Sequence, residues 1–248
     1  MARKRAWITG AGSGIGRALA KRLADQGWDV AVSARTASDL DSLVAEAPGR
    51  IWAFVLDVTD SAANRSVVDD VERTLGPLDL VVLNAGGYFP VTAANFSAEK
   101  FRKTVELNLN GTANGLEPVL QRMVARGRGH VAVMASVAGF VGLPTGSTYS
   151  ATKAALNAMC EALKVELEPL GVTLTVINPG FVKTPATDKN KFPMPFRIPV
   201  EQAAEAIMRG LERKKYEIIF PWQMAIAMKL FGVLPHWLQF TITRRMLP

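Results

Sequence analysis

Residues 9–16 read TGAGSGIG, between an apolar run, AWIT (6–9), and a segment of helical period, GRALAKRLADQG (16–27). A glycine-rich turn that leaves a strand and opens a helix lets the backbone approach a pyrophosphate at the helix N-terminus. The glycines at 10, 12, 14 and 16 fall on every second residue, so the general dinucleotide spacing G-x-G-x-x-G does not fit. Alone, the loop reads either as a phosphate cradle or as a glycine-rich turn with no ligand.

The surrounding chain favours the cradle. Short apolar, β-branched runs continue at WDVAVS (28–33), IWAFVL (51–56), LDLVVL (78–83), HVAVMA (130–135), VTLTVIN (172–178) and YEIIF (216–220). Runs that are apolar nearly throughout suit strands covered on both faces. Between them lie segments such as SVVDDVERTLG (66–76), where apolar residues recur at three and four and a glycine closes the helix. This alternation predicts an α/β fold, a doubly wound, mostly parallel Rossmann-type sheet, with ligands at the carboxyl ends of the strands. Residues 1–220 form one domain in this reading, and 221–248 an apolar C-terminal extension.

Composition removes several alternatives. The single cysteine, Cys160, excludes an intramolecular disulfide framework and suits a reducing compartment. His130 and His236, with no Cys/His clusters, suggest no metal site, so structural or surface roles are expected for both. The start, MARKRAWITGAG, reaches glycines before any apolar core of about 7–15 residues could mark a signal peptide, so a cytoplasmic location is expected. The net charge of +7 is spread among acids, with dense points only at 3–5, 126–128 and 213–215. That suits a solvated surface and an anionic cofactor rather than nucleic acid.

Further motifs follow the glycine loop in order: Asp57-Val58, Asn84-Ala85-Gly86, Asn108-Leu109-Asn110-Gly111, Ser136, Tyr149-x-x-x-Lys153, and Pro179-Gly180 with Thr184. With Thr9, Gly10, Gly14 and Gly16 as T-G-x-x-x-G-x-G, the chain resembles the short-chain dehydrogenase/reductase family, classical type, over about residues 4–220. Leu83 departs from the second asparagine that many members carry. The resemblance implies an oxidoreductase that moves a hydride between a nicotinamide and a carbonyl or alcohol. Gly10, Gly12, Ser13, Gly14, Ile15 and Gly16 would cradle the cofactor with Thr9, and Asp57 and Val58 would flank the adenine. Asn84 to Gly86, Pro179, Gly180, Val182 and Thr184 would line or hold the rest. Arg35, after the second strand where a carboxylate would select NAD, points to NADP(H).

The resemblance also assigns the chemistry. Tyr149 would be the acid in reduction and the base in oxidation. Ser136 would bond the substrate carbonyl, and Lys153 would lower the tyrosine pKa and bind the nicotinamide ribose. Asn108, chosen over Asn110 by the N-x-x-G spacing, would hold a water linking Lys153 to solvent. A cation about 4 Å away, at an effective dielectric near 20, favours a phenolate by ~4 kcal/mol. The hydroxyls of Ser147, Thr148, Ser150 and Thr152 are expected to satisfy backbone groups. A cofactor-sensing scaffold without catalysis is the rival of another class, although a sensor has no need of a proton relay.

The substrate pocket is expected from residues 137–144, Tyr88, Phe89, and Phe192, Met194 and Phe196 of the proline-rich loop 185–199, which suits a hydrophobic carbonyl or alcohol. Lys189, Lys191 and Arg197 could instead meet an acidic carrier, giving a 3-oxoacyl-thioester reductase. The resemblance implies a homodimer or homotetramer, with helices at about 97–125 and 149–168 pairing across a two-fold axis and Cys160 buried there. The tail segment WQMAIAMKLFGVL (222–234) is apolar almost all round, which predicts a helix buried on several sides. A lid or subunit interface ranks ahead of a membrane surface with Trp222, Trp237, Arg244 and Arg245 at the boundary, because the segment lacks a polar face.

Overall fold

The structure, a computed structural model, describes residues 3–188, 192–245 and 247. It starts with β1 (Arg5–Thr9), α1 (Gly14–Asp25), β2 (Asp29–Ala34), α2 (Ala37–Glu46), β3 (Ile51–Val55), α3 (Ser61–Leu75) and β4 (Leu80–Leu83). The second half contains α4 (Ala98–Val105), α5 (Gly111–Arg126), β5 (Gly129–Met134), α6 (Ser147–Leu167), β6 (Val172–Pro179), α7 (Val200–Glu212) and β7 (Glu217–Phe220). Two tail helices follow, α8 (Trp222–Gly232) and α9 (His236–Arg244).

The strands form one parallel sheet in the order β3-β2-β1-β4-β5-β6-β7. The chain winds outward in both directions from β1 and β4, so a crevice opens past their carboxyl ends. Each face of the sheet needs its own apolar cover. On one, Leu19 and Leu23 of α1, Leu40 and Leu43 of α2 and Ile207 of α7 pack on Ile8, Val30 and Val32. On the other, Val68 and Val71 of α3, Val119 and Met123 of α5 and Leu156 of α6 pack on Trp7, Val81 and Val133. Local signals set the helix ends: Asp60 caps α3 by accepting the Ala63 amide at 2.9 Å, and Gly76 at φ 92° ends it.

Three expectations are corrected. The apolar run of β3 is not covered on both faces: it is an edge strand, and Val55 is 56% exposed. Cys160 points from α6 into its own chain's core and is fully buried there, not on a surface that a partner could cover, and burial pushes its thiol up to about 12. The tail segment, expected to be buried by protein, a partner subunit or lipid, is buried by its own chain at Met224 and Met228 and partly covered at Ala225, Phe231 and Leu234, while Trp222, Ile226 and Leu230 face outward. The long helix expected at 97–125 is also interrupted, by a π-helical turn at Glu106–Asn110 that carries Asn108.

Candidate active site

The glycine loop crosses from β1 to α1 at the crevice. Gly10 has φ 65°, and a Cβ there would lie 2.8 Å from the Ala85 Cα. A Cβ on Gly16 would lie 2.5 Å from Asn84 Nδ2. Thr9 and Asn84 lock this approach: the Thr9 hydroxyl accepts the amides of Asn84 and Ala85, and Asn84 Nδ2 donates to the carbonyls of Thr9 and Gly10. These two side chains therefore shape the loop from behind. Ser13, the N-cap of α1, makes no side-chain cap bond, and the first turn holds no acid, which leaves its amides suited to a phosphate.

A cleft of about 230 Å³ runs from this loop along Gly10, Gly12, Ser13, Ala34, Arg35, Asp57, Val58, Ala85 and Gly86. Asp57 is held below the usual carboxylate range, chiefly by the Thr59 amide and also by the positive charge of Arg35. Thr184 closes the other side, 3.3 Å from where a Cβ on Gly14 would stand. A glycine cradle, open helix amides and Arg35 on the rim fit a nicotinamide dinucleotide. Val182 buries its side chain in the core, and Ile15 packs its side chain against that core. Pro179 and Gly180 serve the neighbouring backbone, as the Pro179 carbonyl accepts from Ser136 Oγ at 3.4 Å and the Gly180 amide donates to Phe220 at 2.7 Å.

Four side chains converge past the ends of β4 and β5. Lys153, 3% exposed, donates from Nζ to the Met134 carbonyl at 2.7 Å and lies 5.6 Å from the Tyr149 ring centroid. Ser136, just past the end of β5, donates from Oγ to the Pro179 carbonyl at 3.4 Å and stands beside Tyr149, whose pKa it acts to lower. Asn108 Oδ1 accepts the Gly87 amide at 2.8 Å, while Nδ2 donates to the Gly87 carbonyl and to Thr152 Oγ1. A Cβ on Gly86 would stand 3.2 Å from Asn108 Oδ1 and 3.6 Å from Lys153 Nζ, so both polar ends meet over that glycine. Asn110 instead donates to Glu106 on the exposed side of the turn.

A match to the short chain dehydrogenase family model spans residues 4–193. The chain is 39% identical over 249 residues to an uncharacterized oxidoreductase of Myxococcus xanthus, covering 99% of this chain and 98% of that one. The chain belongs to the short-chain dehydrogenase/reductase family. It is also 34% identical over 185 residues to a 3-oxoacyl-[acyl-carrier-protein] reductase of Thermotoga maritima, covering 73% of this chain and 75% of that one. A solved short-chain dehydrogenase from Streptomyces avermitilis superposes with a TM-score of 0.81 at 28% identity, covering 92% of each chain. The protein is thus an NAD(P)-dependent oxidoreductase, and the reading as a non-catalytic sensor falls.

Within this short-chain dehydrogenase/reductase, electrostatics depart from the simple cation–phenolate picture. Burial raises the Tyr149 pKa, Ser136 opposes it, and Tyr88 adds to the rise. Burial lowers Lys153 to about 8. The Lys153 ammonium sits over the ring face and on a backbone carbonyl, so the chain alone does not lower the tyrosine as the i,i+4 spacing suggested. Among the neighbouring hydroxyls, Thr152 satisfies the Tyr149 carbonyl at 2.8 Å, whereas the buried hydroxyls of Thr148 and Ser150 have no partner among the described residues, contrary to expectation.

Tyr88 meets the Tyr149 ring edge-on at 5.4 Å, and Phe192 meets Tyr88 at 6.4 Å. Phe181 and the α8 residues Met224 and Met228 join Val137, Phe140 and Val141 in the adjacent apolar cluster. Phe196 is half exposed and Phe89 lies under Lys103 at 5.3 Å. Arg197 is taken up by Asp188 and Thr187, so it does not offer the open cation expected for a carrier, while Lys189 and Lys191 lie outside the described residues. Sequence reasoning also missed Asp39, an acid on the cleft wall. It stands in the first turn of α2, four residues beyond Arg35, a spacing that could have marked it.

Proposed function

We propose that the protein transfers a hydride between NADP(H) and a hydrophobic carbonyl or alcohol, with Tyr149 moving the proton. The observation that carries this reading is the convergence of Tyr149, Ser136 and Lys153 beside the glycine cleft. Bound in the cleft, the nicotinamide would supply or accept the hydride. In reduction, the Tyr149 hydroxyl gives its proton to the substrate oxygen, which the Ser136 hydroxyl helps to hold. The raised Tyr149 pKa keeps that proton available near neutral pH. Lys153 holds the nicotinamide ribose, and Asn108, fixed on Gly87, holds a water that links Lys153 to solvent. Arg35 on the cleft rim supports preference for the 2′-phosphate, with Asp39 acting against it.

The Tyr149→Phe variant tests the assignment. NADPH oxidation with a panel of ketones and aldehydes should fall by roughly 10²–10⁴, with NADPH affinity by fluorescence titration nearly intact. Turnover at the wild-type rate refutes it. The Thermotoga relative supports a second reading, reduction of 3-oxoacyl thioesters. Activity on acyl-carrier or coenzyme A thioesters but not on free ketones or aldehydes would favour it. Exposed Ala151, Ala154, Ala158 and Ala162 along α6 support a homodimer or homotetramer built on that helix. The unpaired Cys160 supports a cytoplasmic setting.

A further inference from the structure

The two tail helices present apolar surface to water. In α8, Met224 and Met228 turn inward onto Val137, Phe140, Val141 and Phe181. Trp222, Ile226 and Leu230, spaced four apart on one stripe, are 68%, 53% and 62% exposed. Val233, Trp237 and Phe240 continue the apolar surface through the turn into α9, each more than half exposed. This is a built hairpin: Gln239 is buried, and its Nε2 donates to the carbonyls of Phe231, Gly232 and Leu234, fastening α9 to the end of α8.

The charge on this hairpin has one sign. Residues 221–248 contain no Asp or Glu and three cations, Lys229, Arg244 and Arg245. Lys229 is paired with Glu217 at 2.5 Å, whereas Arg244 and Arg245 are exposed and form no ion pair among the described residues. We propose that the α8–α9 hairpin docks this protein on an anionic lipid bilayer, lying in the interface with Trp222 and Trp237 among the headgroups. No helix among the described residues is long and apolar enough to cross a membrane, so the contact is peripheral. The missing polar face of α8 does not oppose this, because its second face is covered by Met224 and Met228 contacts rather than by water. A second copy of the chain would have to bury apolar surface carrying only positive charge against its like. An anionic bilayer supplies the complementary sign.

The docking stands apart from the proposed function, except for one consequence that rests on that reading. The inner side of α8 belongs to the apolar cluster beside Ser136, so a lipid-dissolved substrate would enter from the bilayer side.

The test uses the full chain and co-sedimentation with vesicles of phosphatidylcholine alone or mixed equally with phosphatidylglycerol. Wild type should bind the anionic vesicles at least ten-fold more tightly than the neutral ones. The Arg244→Ala/Arg245→Ala pair should weaken that binding by roughly 25-fold, about five-fold per basic side chain. Trp222→Ser/Trp237→Ser should abolish it, with circular dichroism and light scattering of both variants matching wild type in solution. Failure of wild type to sediment with anionic vesicles overturns the proposal, as does wild-type binding by the tryptophan variant. A drop in oligomer mass in the tryptophan variant would assign the face to a second copy and also overturn it.

Discussion

Lys153→Met should stabilise the fold while removing the chemistry, and the gain should fade with pH. The ammonium is buried, and its pKa falls from 10.5 to about 8 through desolvation alone. At 1.36 kcal/mol per pH unit, that gap is a native-state cost of ~3 kcal/mol when the group is charged. Methionine fills similar space without the charge but leaves the Met134 carbonyl without its 2.7 Å donor, a loss of about 1–2 kcal/mol. At pH 7 the variant should therefore be ~1–2 kcal/mol more stable, a rise in Tm of about 2–8 °C for a chain of this size. The native pKa lies below the unfolded one, so between about 8 and 10.5 the unfolded chain binds more protons and wild-type stability rises with pH. By pH 10 the variant's advantage should have shrunk by ~2 kcal/mol. That change does not depend on the carbonyl term, which is the same at both pH values. Urea unfolding of both proteins at pH 7 and pH 10 measures it. A stability difference that stays constant across this range would refute the account of Lys153 as a desolvated cation.

Other outcomes follow from the cleft. Gly16→Ala places a methyl 2.5 Å from Asn84 Nδ2 and 2.6 Å from the Gly10 carbonyl, so the loop must move. Its Kd for NADPH by fluorescence titration should rise at least about ten-fold, and an unchanged Kd would show that the close approach is unimportant. Arg35→Ala should cut kcat/KM with NADPH by roughly ten-fold or more while leaving NADH nearly unchanged; Asp39→Asn should move the ratio the other way. Equal use of both cofactors by wild type would sink the NADP(H) preference.

Much of the architecture was legible because its signals are local. Alternating apolar runs and helical periods specify a parallel sheet, since a strand buried on both faces must be apolar throughout and a covering helix needs one apolar stripe. The glycine loop was legible for the same reason: its backbone conformation at Gly10 and Gly14, both at positive φ, demands glycine whatever lies nearby. The family resemblance set Ser136, Tyr149 and Lys153 at one site, and the fold brings Tyr149 and Lys153 within 5.6 Å, ring centroid to Nζ, next to Ser136.

Tertiary structure alone decided how those groups interact. Helical spacing puts Tyr149 and Lys153 on one face, but only the Met134 carbonyl at the end of β5 determines where the ammonium rests. Their desolvation depends on elements packed from distant parts of the chain, and at Tyr149 the electrostatic effect of Tyr88 adds to it. Asp39 reaches the cleft because α2 packs beside the glycine loop, so that its carboxylate comes against Gly12. In the tail, hydropathy could say that α8 avoids water but not which partner relieves it. The fold covers one side with Val137, Phe140 and Phe181 and leaves the tryptophan side open, because burial is a property of packed neighbours rather than of residue type.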